Sequence, residues 1–312
     1  MKSVTFHAIL KKHWKKEFYM SDNFKHLSMG WLPDFPSYRD YTEDTPLIAP
    51  LIAGTGASDP TPKTVTDSVD LREWCSPIED QGSIGSCTAH AGVGLIEFYE
   101  RKAFGKHIDA SRLFLYKTTR NLLQWTGDTG AFIRSTMGAM VLFGAPPEKY
   151  WPYVTDDYDK EPPAFCYAYA SNYQTLSYYR LDPPLTARDQ LLRKIKSYLA
   201  SGMPSMFGFT IFSSISQAVK TGEIPYPQKD ERTQGGHAVV AVGYDDNRKI
   251  VNSKGKVTTT GAILIRNSWG TSWGDEGYGW LPYDYILKGL AVDWWSVIKK
   301  EWVDTGEFQL KN

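Results

Sequence analysis

The chain has 312 residues, enough for one large domain, two domains sharing a cleft, or a core with an appendage. Its 35 Lys and Arg balance 35 Asp and Glu, so no summed charge draws it to nucleic acid or to an acidic membrane, and 42% hydrophobic with 14% aromatic residues excludes a disordered chain. Three cysteines, Cys75, Cys87 and Cys166, are too few for a disulfide scaffold, and their odd number leaves at least one thiol unpaired within the chain.

No apolar core follows the opening residues, which turn basic at Lys11, Lys12, Lys15 and Lys16. No secretory signal is read there, and a cytoplasmic location is the expectation. The longest apolar stretch, around residues 139–145, is too short to span a bilayer. Leu10, Trp14 and Phe18 recur at helical spacing and predict a short amphipathic helix packed on its own protein. From Trp31 to Lys63 the composition shifts to Pro, Gly, Thr and Asp, which predicts an extended course. Trp31, Leu32, Phe35 and Tyr38 crowd into it, and such apolar groups need a surface to cover. The segment is therefore expected to lie against the main body.

Beyond residue 70 the periodicity is helical. Ala89, Val93, Ile96 and Tyr99 share one face of a helix that begins near Cys87, Ser111 caps a helix over residues 112–123, and another over residues 132–143 is closed by Gly144. Thr186 with Asp189 reads as a capping box opening a helix to Ala200. Short β-branched or aromatic runs then follow at residues 206–212, 237–244, 262–266 and 291–298. Helices first and strands second, without βαβ alternation, predict an α+β protein in two lobes.

Three segments carry chemistry: Gln81-Gly82-Ser83-Ile84-Gly85-Ser86-Cys87, Gly235-Gly236-His237-Ala238-Val239-Val240, and Arg266-Asn267-Ser268-Trp269-Gly270. A cysteine opening a helix sits where free backbone N–H groups and the helix dipole favour a thiolate. A histidine at the head of an apolar strand has a fixed backbone from which its ring can be aimed across a cleft. Taken singly, each residue has an ordinary structural reading as a buried thiol, a core histidine, a turn Asn or a packed Trp.

In this order and spacing the three segments resemble the papain family of cysteine peptidases, and specifically a bacterial-type member with a short, atypical N-terminal prosegment. In that family His and Asn stand roughly 130–150 residues after the cysteine, and His237 falls at the top of that range with Asn267 beyond it. The resemblance implies a papain-like two-lobed fold, a helical lobe (mainly residues 80–180) and an antiparallel β-barrel-like lobe (mainly 200–300), with the active site in the cleft. Residues 1–66 would form a prosegment-like extension and residues 67–312 the peptidase domain. It implies Cys87 as nucleophile, His237 as base and acid, Asn267 orienting the imidazole, and Gln81 in an oxyanion hole with the Cys87 amide. Trp269 would cover the His–Asn bond, Gly130 would pair with substrate backbone, and Phe209 would line a hydrophobic subsite or serve as plain core.

Departures from the family pattern are Ile84 in place of a disulfide cysteine, Thr88 in place of an aromatic residue, and Gly236 before the histidine. Cys75 and Cys166 are expected to be reduced thiols. His7, His13, His26, His90 and His107 lack neighbours at metal-ligand spacing, so no metal and no cofactor are expected. The expected partners are a peptide or protein substrate and the chain's own N-terminal segment as an inhibitor, with no nucleic acid, no membrane and a monomeric state. An endopeptidase is favoured. An exopeptidase with a cleft blocked near residues 224–234, an acyl or amide transferase, and an inactive peptide-binding relative are the alternatives.

Overall fold

The structure is a computed structural model that describes residues 27–58, 66–173 and 177–308. The helix expected around Leu10, Trp14 and Phe18 lies outside the described residues.

The helical lobe is built on α1 (Cys87–Phe104), α2 (Arg112–Leu122) and α3 (Ile133–Leu142). Helix α1 is apolar on nearly every side, with Cys87, Leu95, Phe98 and Tyr99 all buried, because α2, α3 and the sheet surround it. Gly105 ends it in the left-handed conformation that glycine adopts without strain. The Ser111 hydroxyl accepts from the Phe114 amide and so caps α2 as anticipated. At α4 (Arg188–Ala200) the anticipated capping box is absent. Thr186 donates its hydroxyl to the Pro183 carbonyl instead, Ala187 takes the cap position without a side-chain bond, and Asp189 pairs with Arg193 one turn on.

Among the described residues, seven strands form one antiparallel sheet: β1 (Ser68–Asp70), β2 (Ser177–Arg180), β3 (Ser205–Phe212), β4 (Thr233–Asn252), β5 (Val257–Arg266), β6 (Tyr278–Pro282) and β7 (Ala291–Ile298). Their order is β2-β7-β3-β4-β5-β6, with β1 pairing to β4. Residues 238–244 of β4 are buried on both faces, since α1 and α4 both pack on this strand, and this explains their unbroken apolar run. The sheet is open, ending at β2 and β6, and does not close into the barrel-like lobe expected from the sequence. The α+β architecture otherwise matches. Among the described residues no helix is long and apolar enough to cross a membrane.

The N-terminal segment runs over both lobes. Trp31 is buried, but Phe35 and Tyr38 are 85% and 84% exposed, so the expected row of aromatic anchors reduces to one. Ion pairs and a backbone hydrogen bond do the remaining work: Arg134 of α3 binds Asp34 and Asp40, and the Arg180 amide of β2 donates to the Tyr41 carbonyl at 2.7 Å. Further on, Ile48 and Ile52 are buried, and Ala49–Ala53 forms a short helix where an extended course was predicted.

Candidate active site

His237 lies in the first third of β4, and Asn267 follows directly on β5. The register Val240↔Arg266 brings the two ends together. His237 Nε2 and Asn267 Oδ1 are 2.7 Å apart. The Ser268 amide also donates to Asn267 Oδ1 at 2.8 Å, which identifies that atom as the oxygen. An oxygen there can only accept, so Nε2 carries the proton and the lone pair of Nδ1 is free. Nδ1 is buried and makes no hydrogen bond. The Trp269 indole stacks on the imidazole at 4.3 Å and 22°, fixing the ring plane.

Cys87 comes from the other lobe, at the first position of α1. Its sulfur accepts from the Ala238 amide, next to His237, at 3.4 Å. Gln81 is fully buried: its amide donates to the Ser268 carbonyl at 2.9 Å, and its side-chain oxygen accepts from the Ser268 hydroxyl at 2.6 Å. These bonds tie the loop before Cys87 to the turn after Asn267 and set the direction of Gln81 Nε2.

The cleft is covered by the chain's own residues 28–31. The Ser28 carbonyl accepts from Gln81 Nε2 at 3.2 Å and from Trp269 Nε1 at 3.0 Å. The amides of Gly30 and Trp31 are among the groups that act on the Cys87 sulfur. Trp31 then pairs in parallel with Ala131: the Ala131 amide donates to the Gly30 carbonyl at 2.8 Å and the Leu32 amide to the Ala131 carbonyl at 3.0 Å. The slot is too narrow for side chains. A Cβ on Gly30 would lie 1.8 Å from the Gly85 oxygen, and one on Gly130 would lie 2.2 Å from the Gly30 oxygen.

This cover changes the electrostatics anticipated for an open helix terminus. Burial pushes the Cys87 thiol up to about 11, although four backbone amides oppose the shift. Burial also lowers His237 to about 4 against the opposing bond to Asn267. In the covered state the two groups are therefore a thiol and a neutral imidazole, not the thiolate that a helix start favours. The helix dipole is outweighed because water has been excluded from both charges.

Of the residues singled out in the sequence, Gln81, Cys87, His237, Asn267 and Trp269 converge here, and Gly130 faces the Gly30 carbonyl. Phe209 stands apart. It pairs with His237 across the sheet, its ring packs on His237 and Tyr285, and it is 1% exposed, whereas its neighbour Gly208 faces the Trp31 indole. The sequence reading missed Ser28, Gly30, Gly208 and Asp293. Two carried a signal: Gly208 interrupts the apolar strand run around it, a mark of close approach, and Asp293 is the lone acid in an otherwise buried strand. Cys75, Cys87 and Cys166 are all buried and none is in a disulfide. Among the described residues no cluster of His, Cys, Asp and Glu is arranged to hold a metal ion.

A family model described as papain family cysteine protease matches residues 65–287. An uncharacterized peptidase C1-like protein of Acanthamoeba polyphaga mimivirus is 35% identical over 247 residues, 76% of either chain. Among solved structures, xylellain, a cysteine protease from Xylella fastidiosa, is similar with a TM-score of 0.69 and 34% identity over 88% of this chain and 96% of that one. Digestive procathepsin L 3 of Tenebrio molitor shares the fold at 20% identity and a TM-score of 0.58, covering 77% of this chain and 72% of that one. With the Cys87 sulfur of one lobe bonded to the amide beside His237 of the other, and with this match over most of its length, the chain belongs to the papain family of cysteine proteases.

Proposed function

We propose that the protein is a thiol endopeptidase held in a closed form by its own N-terminal segment. Cys87 is the nucleophile, His237 the base and acid, Asn267 the residue that orients the imidazole, and Gln81 Nε2 a donor to the oxyanion. The observation that carries this reading is the His237–Asn267 contact at 2.7 Å, which leaves Nδ1 free, beside a sulfur already bonded to the Ala238 amide.

In the open form Nδ1 takes the thiol proton and the thiolate adds to the substrate carbonyl carbon. The carbonyl electron pair moves to oxygen, where Gln81 Nε2 and the Cys87 amide stabilise it. As the carbonyl re-forms, the C–N bond breaks and the imidazolium gives its proton to the leaving amine. Water, deprotonated by the same nitrogen, then releases the acid and the thiol is restored. The Ser28 carbonyl now occupies the Gln81 donor, so the segment competes with any substrate.

The path of residues 28–38 supports an endopeptidase. The chain passes from Gln81 and Trp269, over the sulfur, and out along α3, so the cleft accepts an extended peptide through both ends. The stretch 224–234, the candidate for blocking one end, is instead held against β6 by Ile224 and against the Asn252 end of β4 by Tyr226. Labelling with an epoxide inhibitor of thiol peptidases, with mass spectrometry and Cys87→Ala as control, tests the reading, and internal cleavage of a peptide library separates endopeptidase from exopeptidase. Modification only at Cys87, with cleavage inside the peptides, is expected. A folded protein with an opened cleft that neither labels nor cleaves would overturn the proposal.

A further inference from the structure

The N-terminal segment fills one pocket of the cleft with a side chain of its own. Trp31 is 4% exposed. A Cβ on Gly208 would come within 1.9 Å of its ring carbons, and one on Gly236 within 2.6 Å of its backbone oxygen. Two positions without side chains thus make room for a flat, large group. Beneath it sits Asp293, fully buried. Trp31 Nε1 donates to Asp293 Oδ2 at 3.1 Å, while Oδ1 accepts from Trp295 Nε1 at 2.7 Å and lies 3.1 Å from Arg180 Nη1. The Asp293 amide donates to Asp182, which is itself paired with Arg180. Asp293 has φ +65, a conformation costly for a residue other than glycine, so the neighbours hold this carboxylate in place against its backbone preference.

The charges decide what such a floor selects. Asp34 and Asp40, which pair with Arg134 and approach Arg180, belong to the segment and leave with it. Arg134 and Arg180 then remain with Asp182 and Asp293, two charges of each sign. Asp293 therefore has no surplus negative charge to attract a cation, yet its Oδ2 loses its donor when Trp31 withdraws. A buried acceptor left without a donor is costly, and a neutral N–H on a flat ring restores it.

We infer that the vacated pocket binds a tryptophan side chain of the peptide substrate, with the indole N–H donating to Asp293 Oδ2, and that Gly208 and Asp293 thereby set a preference for tryptophan one residue removed from the reacting centre. The amides of Gly30 and Trp31 both act on the Cys87 sulfur, so the Trp31 side chain enters the pocket that adjoins the reacting centre. The inference rests on the thiol-peptidase reading.

The test uses the full chain carrying Trp31→Ala, which empties the pocket. Peptidyl epoxides carry Trp, 1-naphthylalanine, Leu or Arg at the second residue from the epoxide, and the rate of Cys87 alkylation is followed by mass spectrometry. The naphthyl group has the size of an indole without the N–H, so the comparison isolates one hydrogen bond without touching the protein. The Trp probe is expected to react about tenfold faster than the naphthyl and Arg probes. Gly208→Ala in the same background is expected to slow the Trp probe while sparing the Leu probe. Equal rates for Trp and naphthyl, or a fastest Arg probe, would overturn the inference alone. Failure of every probe, with iodoacetamide also leaving Cys87 unmodified, would overturn the thiol-peptidase reading and the inference with it.

Discussion

The amide of Trp31 donates to the carbonyl of Gly236 at 3.1 Å, one residue before His237. The covering segment is thus held by the backbone of the strand that carries His237. Together with the bonds of Ser28 and Gly30 it forms a continuous seam along both walls of the cleft.

The seam should fail at its narrowest point. Gly30→Ala would place a methyl group 1.8 Å from the Gly85 oxygen, a backbone atom that cannot swing away. The substitution alters nothing in the peptidase body, so its thermal stability should hold while Cys87 alkylation in the full chain rises about tenfold to a hundredfold, as expected for an overpacking cost of ~1–3 kcal/mol. An unchanged alkylation rate would count against the seam as the barrier.

Removing the Gln81 side-chain donor should act on turnover. Gln81→Ala is expected to lower kcat by roughly 10²–10³, with a smaller change in KM, because a donor aimed at the oxyanion contributes mainly in the transition state. Steady-state kinetics on the activated protein checks this. A change confined to KM would assign Gln81 to substrate binding.

Acid should loosen the cover. His237 is held near 4 while buried beneath the segment, and an uncovered imidazole titrates closer to its usual value of 6.5. Between these values an open form that keeps the Cys87 thiol binds a proton that the closed form refuses. The closed form is thus fully favoured above 6.5 and loses ground as pH falls toward 4, by up to about tenfold per pH unit. An open form that passes the thiol proton to the imidazole takes up none and leaves the ratio flat. Alkylation of Cys87 in the full chain, corrected with the Gly30→Ala chain as an open reference, should show this rise. A flat ratio would sink the linkage.

Glu97 of α1 gives a separate pH signature in stability. It is 2% exposed, accepts from the Ser76 hydroxyl and the Ala110 amide, and burial raises it to about 7. The folded chain keeps this proton where the unfolded chain, with its carboxyl near 4.5, releases it. Its stabilising contribution is therefore fully present below 4.5 and is lost as pH rises through about 7, amounting to about 3 kcal/mol. Glu97→Gln should flatten that part of the stability profile in denaturant titrations at several pH values, and a profile identical to that of the parent chain would refute it.

How much of this was legible beforehand depends on where the determining contacts lie. The start of α1 at Cys87, the Ser111 cap and β7 follow from local periodicity and capping, and the sequence shows them directly. The capping box at Thr186 misled because Pro183 offers the hydroxyl a nearer acceptor, a choice made by chain geometry and not by residue type. The strands β1, β2 and β6 are three to five residues long and owe their form to partners distant in sequence. In the site, Gln81, Cys87, His237 and Asn267 stand out through spacing. Asp293 does not, since its role appears only when Trp31, 262 positions away, is brought against it.

The β4–β5 hairpin carries His237 at one end and Asn267 at the other, whereas Cys87 begins a helix of the opposite lobe. Imidazole and amide therefore move as one body, and the sulfur belongs to another. A small sliding of the lobes would change the gap between sulfur and imidazole, together with the Ala238 and Ser268 bonds that cross the boundary, while leaving the proton on the same ring nitrogen. Reactivity could be tuned or silenced from the lobe boundary without disturbing the His237–Asn267 pair.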